Sequence, residues 1–256
     1  MFTDQHFDFT FFSRNKPLIF ILNGWLAPSQ IWYPVIKRIP VWDFIIFSPA
    51  GIEEASPLKN LARRISDFNP LMLWGWSLGG LLSLKLMQQV PRLKQAILFG
   101  SFCRFLNGEN YQSGVSAESY EKLKKLVQTE SAAGIRAFLS SLFTATQRKN
   151  GHFSRFLKNY QNLFENKTIT EIESGLRLLE QTDFHESLQA ISVPVTLIHG
   201  KQDLVVPYAA SVYLSQKIPD STLILWEEEG HLPFYTNPEK LEDLIKQESI
   251  TVAHCL

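Results

Sequence analysis

Residues Leu71–Gly80 read LMLWGWSLGG, an apolar run followed by Ser77 framed between Gly75 and Gly79. The run predicts a buried strand over 71–76, and the apolar residues beyond it predict a helix over 78–89. Gly-x-Ser-x-Gly at such a junction has a geometric meaning. A serine at the tip of a sharp strand-to-helix turn takes a strained backbone, and its neighbours must lack bulk for the chain to reverse so tightly. Its hydroxyl is then held exposed, with the first amides of the helix pointing to where an oxyanion would form. A glycine-flanked serine can equally be an ordinary helix cap.

The same rhythm of strand and helix surrounds this junction. Apolar runs at 17–23, 43–49 and 95–101 predict further strands. Helices are expected over 30–38 and over 57–67, the latter with Ser56 as N-cap and Pro57 as first helical residue. Such alternation implies a mostly parallel central sheet with crossover helices on both faces. From Arg104 to Gln189 the apolar positions instead recur at helical spacing, in YEKLKKLV, IRAFLSSLF, FSRFLKNYQNLF and EIESGLRLLEQ. Strands then return at 193–200 and 221–227, with helices near 208–217 and from Pro238 onward. The expected organisation is α/β: one sheet domain made of residues 1–103 and 190–256, interrupted by a helical lid over 104–189.

A serine hydroxyl is a weak nucleophile until a base removes its proton, and the base needs an acid to hold its tautomer. LIHGKQDLVVP (197–207) sets Asp203 just after a strand, in a Gly-x-x-Asp turn closed by Pro207, and EEEGHLPF (227–234) sets His231 in the loop after the next strand. An aspartate before a helix is more commonly a cap or turn residue, and a loop histidine more commonly a satisfied surface group. Of the other histidines, His6 and His254 lie in terminal segments and His152 and His185 in the helical insertion. His199 ends a strand and is expected to lie too near Asp203 in sequence to face it. Position therefore favours His231. The amide of Leu78, after the serine, and that of Trp25, in LNGWLA (22–27), are candidate oxyanion donors; a Gly-Trp pair can also be an ordinary anchored turn.

Composition narrows the alternatives. The 256 residues are 45% hydrophobic and 20% charged, and 25 basic side chains balance 25 acidic ones, so no global field attracts nucleic acid or anionic lipid. No stretch approaches the ~20 apolar residues of a membrane helix. MFTDQHFDFTFF carries acid where a secretory leader carries positive charge, and a cytoplasmic location is expected. Cys103 and Cys255 have neither disulfide-framework nor zinc spacing and are read as structural. No histidine pair has helical ligand spacing and no Gly-x-x-x-x-Gly-Lys loop occurs, so neither a metal nor a nucleotide is expected.

With serine, acid and histidine in that order, the chain resembles the alpha/beta-hydrolase superfamily over nearly its whole length. GWSLGGL (75–81), GLRLLEQTDFHESLQAISVPVTLIHGKQDLVVP (175–207) and GHLPFYTNPEKL (230–241) look like the pimeloyl-acyl-carrier-protein methyl ester esterases of biotin synthesis. The middle segment is the most specific, since it spans the end of the lid and the acid turn. The resemblance implies an alpha/beta-hydrolase fold with a helical lid, ester hydrolysis without cofactor, and acyl carrier protein as partner; a monomer is expected. It places catalysis on Ser77, His231 and Asp203, with Trp25 and Leu78 around the substrate carbonyl. AFLSSL (137–142) is similar to the family's acyl-contacting stretch, which suggests Phe138, Leu139, Ser140, Ser141 and Leu142. One departure is plain: the family usually has His-Gly before the oxyanion tryptophan, and here it is Asn23-Gly24.

Charge distribution bears on the partner independently. Between Ser119 and Tyr160 eight basic side chains face two acidic ones, a net of +6 in a neutral chain. Acyl carrier proteins are acidic, so Arg136, Arg148, Lys149, Arg155 and Lys158 are candidates to dock one; lysines and arginines on helices are also ordinary solvated faces. Two other readings remain open: a broad short-chain carboxylesterase or thioesterase of the same fold, and a non-catalytic protein that uses the pocket for a ligand.

Overall fold

A computed structural model describes residues 6–49, 58–128, 132–165 and 167–253. Ser56, Pro57, His254 and Cys255 lie outside the described residues, and with them the expected N-cap of the second helix.

The first half of the chain builds β1 (Phe7–Asp8), β2 (Leu18–Leu22), a 3-10 turn (Ser29–Trp32) leading into α1 (Tyr33–Ile36), β3 (Asp43–Phe47), α2 (Leu58–Phe68), β4 (Met72–Trp76), α3 (Leu78–Leu86) and β5 (Gln95–Phe99). Helices α4 (Ala117–Gln128), α5 (Ala132–Ser141), α6 (Ala145–Lys149), α7 (His152–Glu165) and α8 (Ile169–Gln181) follow without an intervening sheet strand. A 3-10 turn (His185–Ala190), β6 (Val195–Gly200), α9 (Ala209–Lys217), β7 (Ser221–Trp226), α10 (Pro233–Thr236) and α11 (Pro238–Ala253) complete the chain.

The strands form one seven-stranded sheet in the order β1-β3-β2-β4-β5-β6-β7. Only β1 runs antiparallel, against β3. Every residue of β2 to β6 is buried, which is why these strands read as unbroken apolar runs: helices cover both faces of a parallel sheet. The edge strand β7 is mostly half-exposed. Several short elements, α10 among them, escape the periodicity reading. Strand β1 is two residues long, and α6 is one turn and a half, too short for an apolar stripe to register. Its start was nevertheless written in the chain: Thr144 and Gln147 form a complete capping box.

The topology determines where chemistry can gather. The chain moves outward from β2 to β3 and then crosses back to β4 on the other side, so the loops leaving β2 and β4 diverge at a switch point, where open α/β sheets form their crevice. Leu22 at the end of β2 is in register with Gly75 in β4, which sets the Asn23–Ala27 loop beside the turn at Ser77. The loops after β6 and β7 open on the same edge, because all four strands run parallel.

The five helices between β5 and β6 are closed at their base by a clasp. Arg104 and Asp183 form an antiparallel bridge, the Phe184 amide donates to the Cys103 carbonyl at 2.9 Å, and Arg104 Nη1 lies 3.4 Å from Asp183 Oδ2. Cys103 is fully buried there. Burial, reinforced by the charge of Asp183, pushes its thiol up to about 12, so it stays protonated and unreactive at neutral pH.

Candidate active site

Ser77 occupies the turn between β4 and α3 with φ 54° and ψ −118°. A non-glycine residue there costs about 1–3 kcal/mol, a strain the surrounding structure must hold in place. It is held from both sides: the Ser77 amide donates to Phe99 O at 3.0 Å, and Ser77 O accepts from Leu81 N at 3.0 Å. Gly79 is required because a Cβ there would lie 2.1 Å from Leu22 O, so α3 could not approach the end of β2.

Asp203 follows β6. Its amide donates to Gly200 O at 3.2 Å, and its Oδ1 accepts the amides of Val205 (2.8 Å) and Val206 (2.9 Å). Oδ2 then faces His231, whose Nδ1 is 2.6 Å away. The carboxylate is fully buried and His231 nearly so. Burial pushes the Asp203 carboxyl up, but the charge of His231 and the hydrogen bonds from His199 and His231 outweigh it and hold Asp203 below the ordinary value of 3.8. It is a permanent anion at neutral pH.

His231 is gripped through its backbone. Its amide donates to Leu142 O at 3.0 Å, and its carbonyl accepts from Trp76 Nε1 at 2.8 Å. Beyond it, Phe234 of α10 stacks on Trp32 with centroids 3.7 Å apart and planes 5° from parallel. The loop is further tied to the helical segment through Glu229, which accepts from Gln147 Nε2 at 2.6 Å and from the Thr236 hydroxyl.

Ser77 and His231 line one cavity with Trp25, Trp76, Phe105, Leu123, Phe138, Leu142, Phe164, Leu179 and Val205. The lining is apolar apart from the serine, the imidazole and the indole N–H groups. The space enclosed is about 20 Å³, room for one water.

The two residues expected around the carbonyl follow paired strands, β2 and β4. Leu78 opens α3, where the first amides of a helix have no acceptor within it, and Trp25 follows β2. Asn23 takes over the support of that loop. Fully buried, it donates from Nδ2 to Ala27 O at 2.7 Å, while its Oδ1 accepts from Gly24 N and Trp32 Nε1, each at 3.0 Å. The Trp25 indole lies against α8 and Phe138, its ring centroid 5.6 Å from that of Phe138.

The structure places the expected lid residues differently from one another. Of residues 138–142 only Phe138 and Leu142 line the cavity. Leu139 is buried in the core, the Ser141 hydroxyl donates to Phe138 O at 2.6 Å, and Ser140 O accepts from Arg148 Nη1 at 3.0 Å. Leu142 lies just past the end of α5, where the chain turns, so residues 138–142 do not present one common face. Arg148 also bonds Phe143 O, so its half-buried guanidinium ties α5 to α6 and does not stand free for a partner. Arg136, Lys149, Arg155 and Lys158 are exposed. The sequence reading of His199 fails outright: its Nε2 is 3.0 Å from Asp203 Oδ2. Residues 200–203 form a turn that brings the aspartate back over the strand end. Phe105, Leu123, Phe164 and Leu179 were missed as lining; their apolar character is shared with every core position, and nothing local distinguishes them. No helix among the described residues is long and apolar enough to cross a membrane.

Comparison with known proteins agrees with this architecture. The chain is 27% identical over 241 residues to a pimeloyl-[acyl-carrier protein] methyl ester esterase of Neisseria meningitidis, covering 89% of this chain and 75% of that protein. It is 28% identical over 248 residues to the protein of the same name from Aromatoleum aromaticum, covering 91% and 98%. Among solved structures, a bromoperoxidase from Bacillus anthracis superposes with a TM-score of 0.80 at 18% identity, over 91% of each chain. An esterase from Exiguobacterium antarcticum gives 0.79 at 20% identity, again over 91% of each. The alpha/beta hydrolase fold family matches residues 17–238, and the chain belongs to that family.

Proposed function

We propose that this protein is a serine carboxylesterase that hydrolyses the methyl ester of a pimeloyl group borne on acyl carrier protein. The observation that carries the chemistry is the 2.6 Å contact between His231 Nδ1 and a buried, ionised Asp203, in a cavity shared with Ser77 on its strained turn. The substrate rests on the relatives named for that activity, aligned over 89–91% of this chain.

In this reading Asp203 fixes the His231 tautomer with the proton on Nδ1, leaving Nε2 free to act as base. His231 takes the Ser77 proton as Oγ attacks the ester carbonyl, and the amides of Trp25 and Leu78 stabilise the oxyanion. Collapse breaks the ester bond, and the departing methoxide takes the proton from His231 as methanol. Water then gives a proton to His231 and attacks the acyl-serine. The second collapse returns the proton to Ser77 and frees the carboxylic acid, with Asp203 ionised throughout. No cofactor is required. Residues 104–189 act as a lid over a core of 1–103 and 190–256, and its basic surface, through Arg136, Lys149, Arg155 and Lys158, receives the acidic carrier.

The tightness of the cavity favours one other reading, a broad short-chain esterase. Methyl pimeloyl-carrier protein and free dimethyl pimelate, assayed side by side, separate the two. The proposal predicts that the carrier-borne ester is hydrolysed with at least about tenfold higher kcat/KM, an advantage that falls with salt and in Arg136→Glu and Arg155→Glu, while the free ester is unaffected. Equal rates, indifferent to charge reversal, would assign the protein to the broad esterases.

A further inference from the structure

Asp203 has a second imidazole partner. His199, the penultimate residue of β6, is wholly buried and is not among the residues that line the cavity with Ser77. Its Nε2 lies 3.0 Å from Asp203 Oδ2 and 3.0 Å from Val206 O. Both neighbours are acceptors only, an ionised carboxylate and a carbonyl, so Nε2 must carry a proton. On the other side of the ring, Nδ1 is 2.6 Å from Ser211 Oγ, and that hydroxyl is 3.2 Å from Ser101 O. Ser211 can give its proton to a neutral Nδ1. It can equally accept from a protonated one and pass its own proton to Ser101 O.

We infer that His199 is a positioning residue: by donating from Nε2 to Asp203 it completes the carboxylate's four hydrogen bonds and aims Oδ2 at His231. Two backbone amides hold Oδ1 and two imidazoles share Oδ2. The backbone bonds fix one oxygen, and the carboxylate could still pivot about it; His199 closes that freedom. It also withdraws electron density from Oδ2, which sets how strongly Asp203 holds a proton on His231. The titratable groups bound within this network are Asp203, His199 and His231. The inference rests on Asp203 being the acid that serves His231.

Removing the donor leaves Asp203 a stronger acceptor for His231, so the imidazole becomes more basic. In His199→Phe the acid limb of the kcat/KM against pH profile for a p-nitrophenyl ester moves upward by about 0.5–1 unit. The same variant loses about ten- to a hundredfold in kcat with KM little changed, the range a hydrogen bond to a charged group is worth. His199→Gln, which keeps an N–H donor, recovers part of both effects. A purely structural role would lower the melting temperature without moving the pH profile. Nitrogen-15 chemical shifts of the intact wild-type protein provide a readout independent of any variant's folding: the His199 signal must report a protonated Nε2. A bare Nε2 overturns the inference, as does a folded His199→Phe enzyme with the wild-type profile and kcat. If Ser77→Ala abolishes activity while these results go against His199, the triad stands and only the positioning role falls; if Ser77→Ala keeps full activity, the triad itself is wrong.

Discussion

Gly175 of α8 is where the helical segment rests on the Trp25 indole, and adding one methyl group there tests how closely the two are coupled. A Cβ at this position would lie 2.0 Å from Trp25 Cδ1 and 2.1 Å from Nε1, well over 1 Å inside ordinary contact. The indole has little room to retreat, being only 7% exposed and packed against Phe138. Two energies compete in Gly175→Ala. Alanine gains about 1 kcal/mol of helix propensity over glycine, and overpacking costs about 1–3 kcal/mol. The clash wins or nearly cancels, so the net loss is up to about 2 kcal/mol, with each kcal/mol worth about 2–4 °C in a chain of this size. The larger effect falls on activity, because a shift of about 1 Å in the loop that carries the Trp25 amide can cost on the order of a hundredfold. Thermal unfolding and hydrolysis of a p-nitrophenyl ester measure the two effects separately. Trp25→Phe shortens the ring and relieves the clash, so in the double variant the two penalties should fall short of additivity by about 1 kcal/mol or more. A Gly175→Ala protein with wild-type melting and turnover, or strictly additive penalties, would refute the reasoning.

Three further outcomes follow from the buried carboxylate and the lid. Asp203→Asn places an amide N–H or a neutral oxygen where His231 Nδ1 needs an anion, so kcat should fall by about 10⁴-fold with the fold intact by circular dichroism. Because the Asp203 carboxyl is held below 3.8 in the folded protein, its contribution to stability is complete above the unfolded value and is lost as pH falls through the folded one. Denaturant titrations at stepped acid pH should therefore show a steeper loss below pH 4 (about the unfolded pKa) in wild type than in Asp203→Asn. Arg148→Ala should lower the melting temperature, since it strips a donor from Ser140 O and Phe143 O, whereas Arg155→Ala should leave it within about 1–2 °C, as an exposed surface change does.

The parts legible in the sequence were those whose physics is local. Ser77 could be read because a strained elbow needs glycines on both sides and an apolar strand before it, all within ten residues. Asp203 and His231 could be read because parallel strands deliver their following loops to one edge. What the sequence did not disclose depends on how turns fold back. His199 and Asp203 are four residues apart at the end of a strand, and extended geometry would carry them away from each other; the turn at 200–203 returns the carboxylate to the ring. Arg148 looked like a free charge because nothing in the spacing of α5 and α6 shows that two carbonyls at their joint want a donor. Of the stretch Phe138–Leu142, whose last residue lies just past α5, only Phe138 and Leu142 line the cavity, and nothing in their spacing sets them apart from their neighbours.

The central claim is that the hydroxyl on the strained turn forms the acyl intermediate. Incubation with a fluorophosphonate, followed by mass spectrometry of the digested protein, locates the nucleophile, and parallel assay of Ser77→Ala measures its weight. The account predicts a single adduct on Ser77, absent in Ser77→Ala, and a fall in ester turnover of about a thousandfold or more. An adduct on another side chain, or an alanine variant that hydrolyses the ester at the wild-type rate, would contradict it.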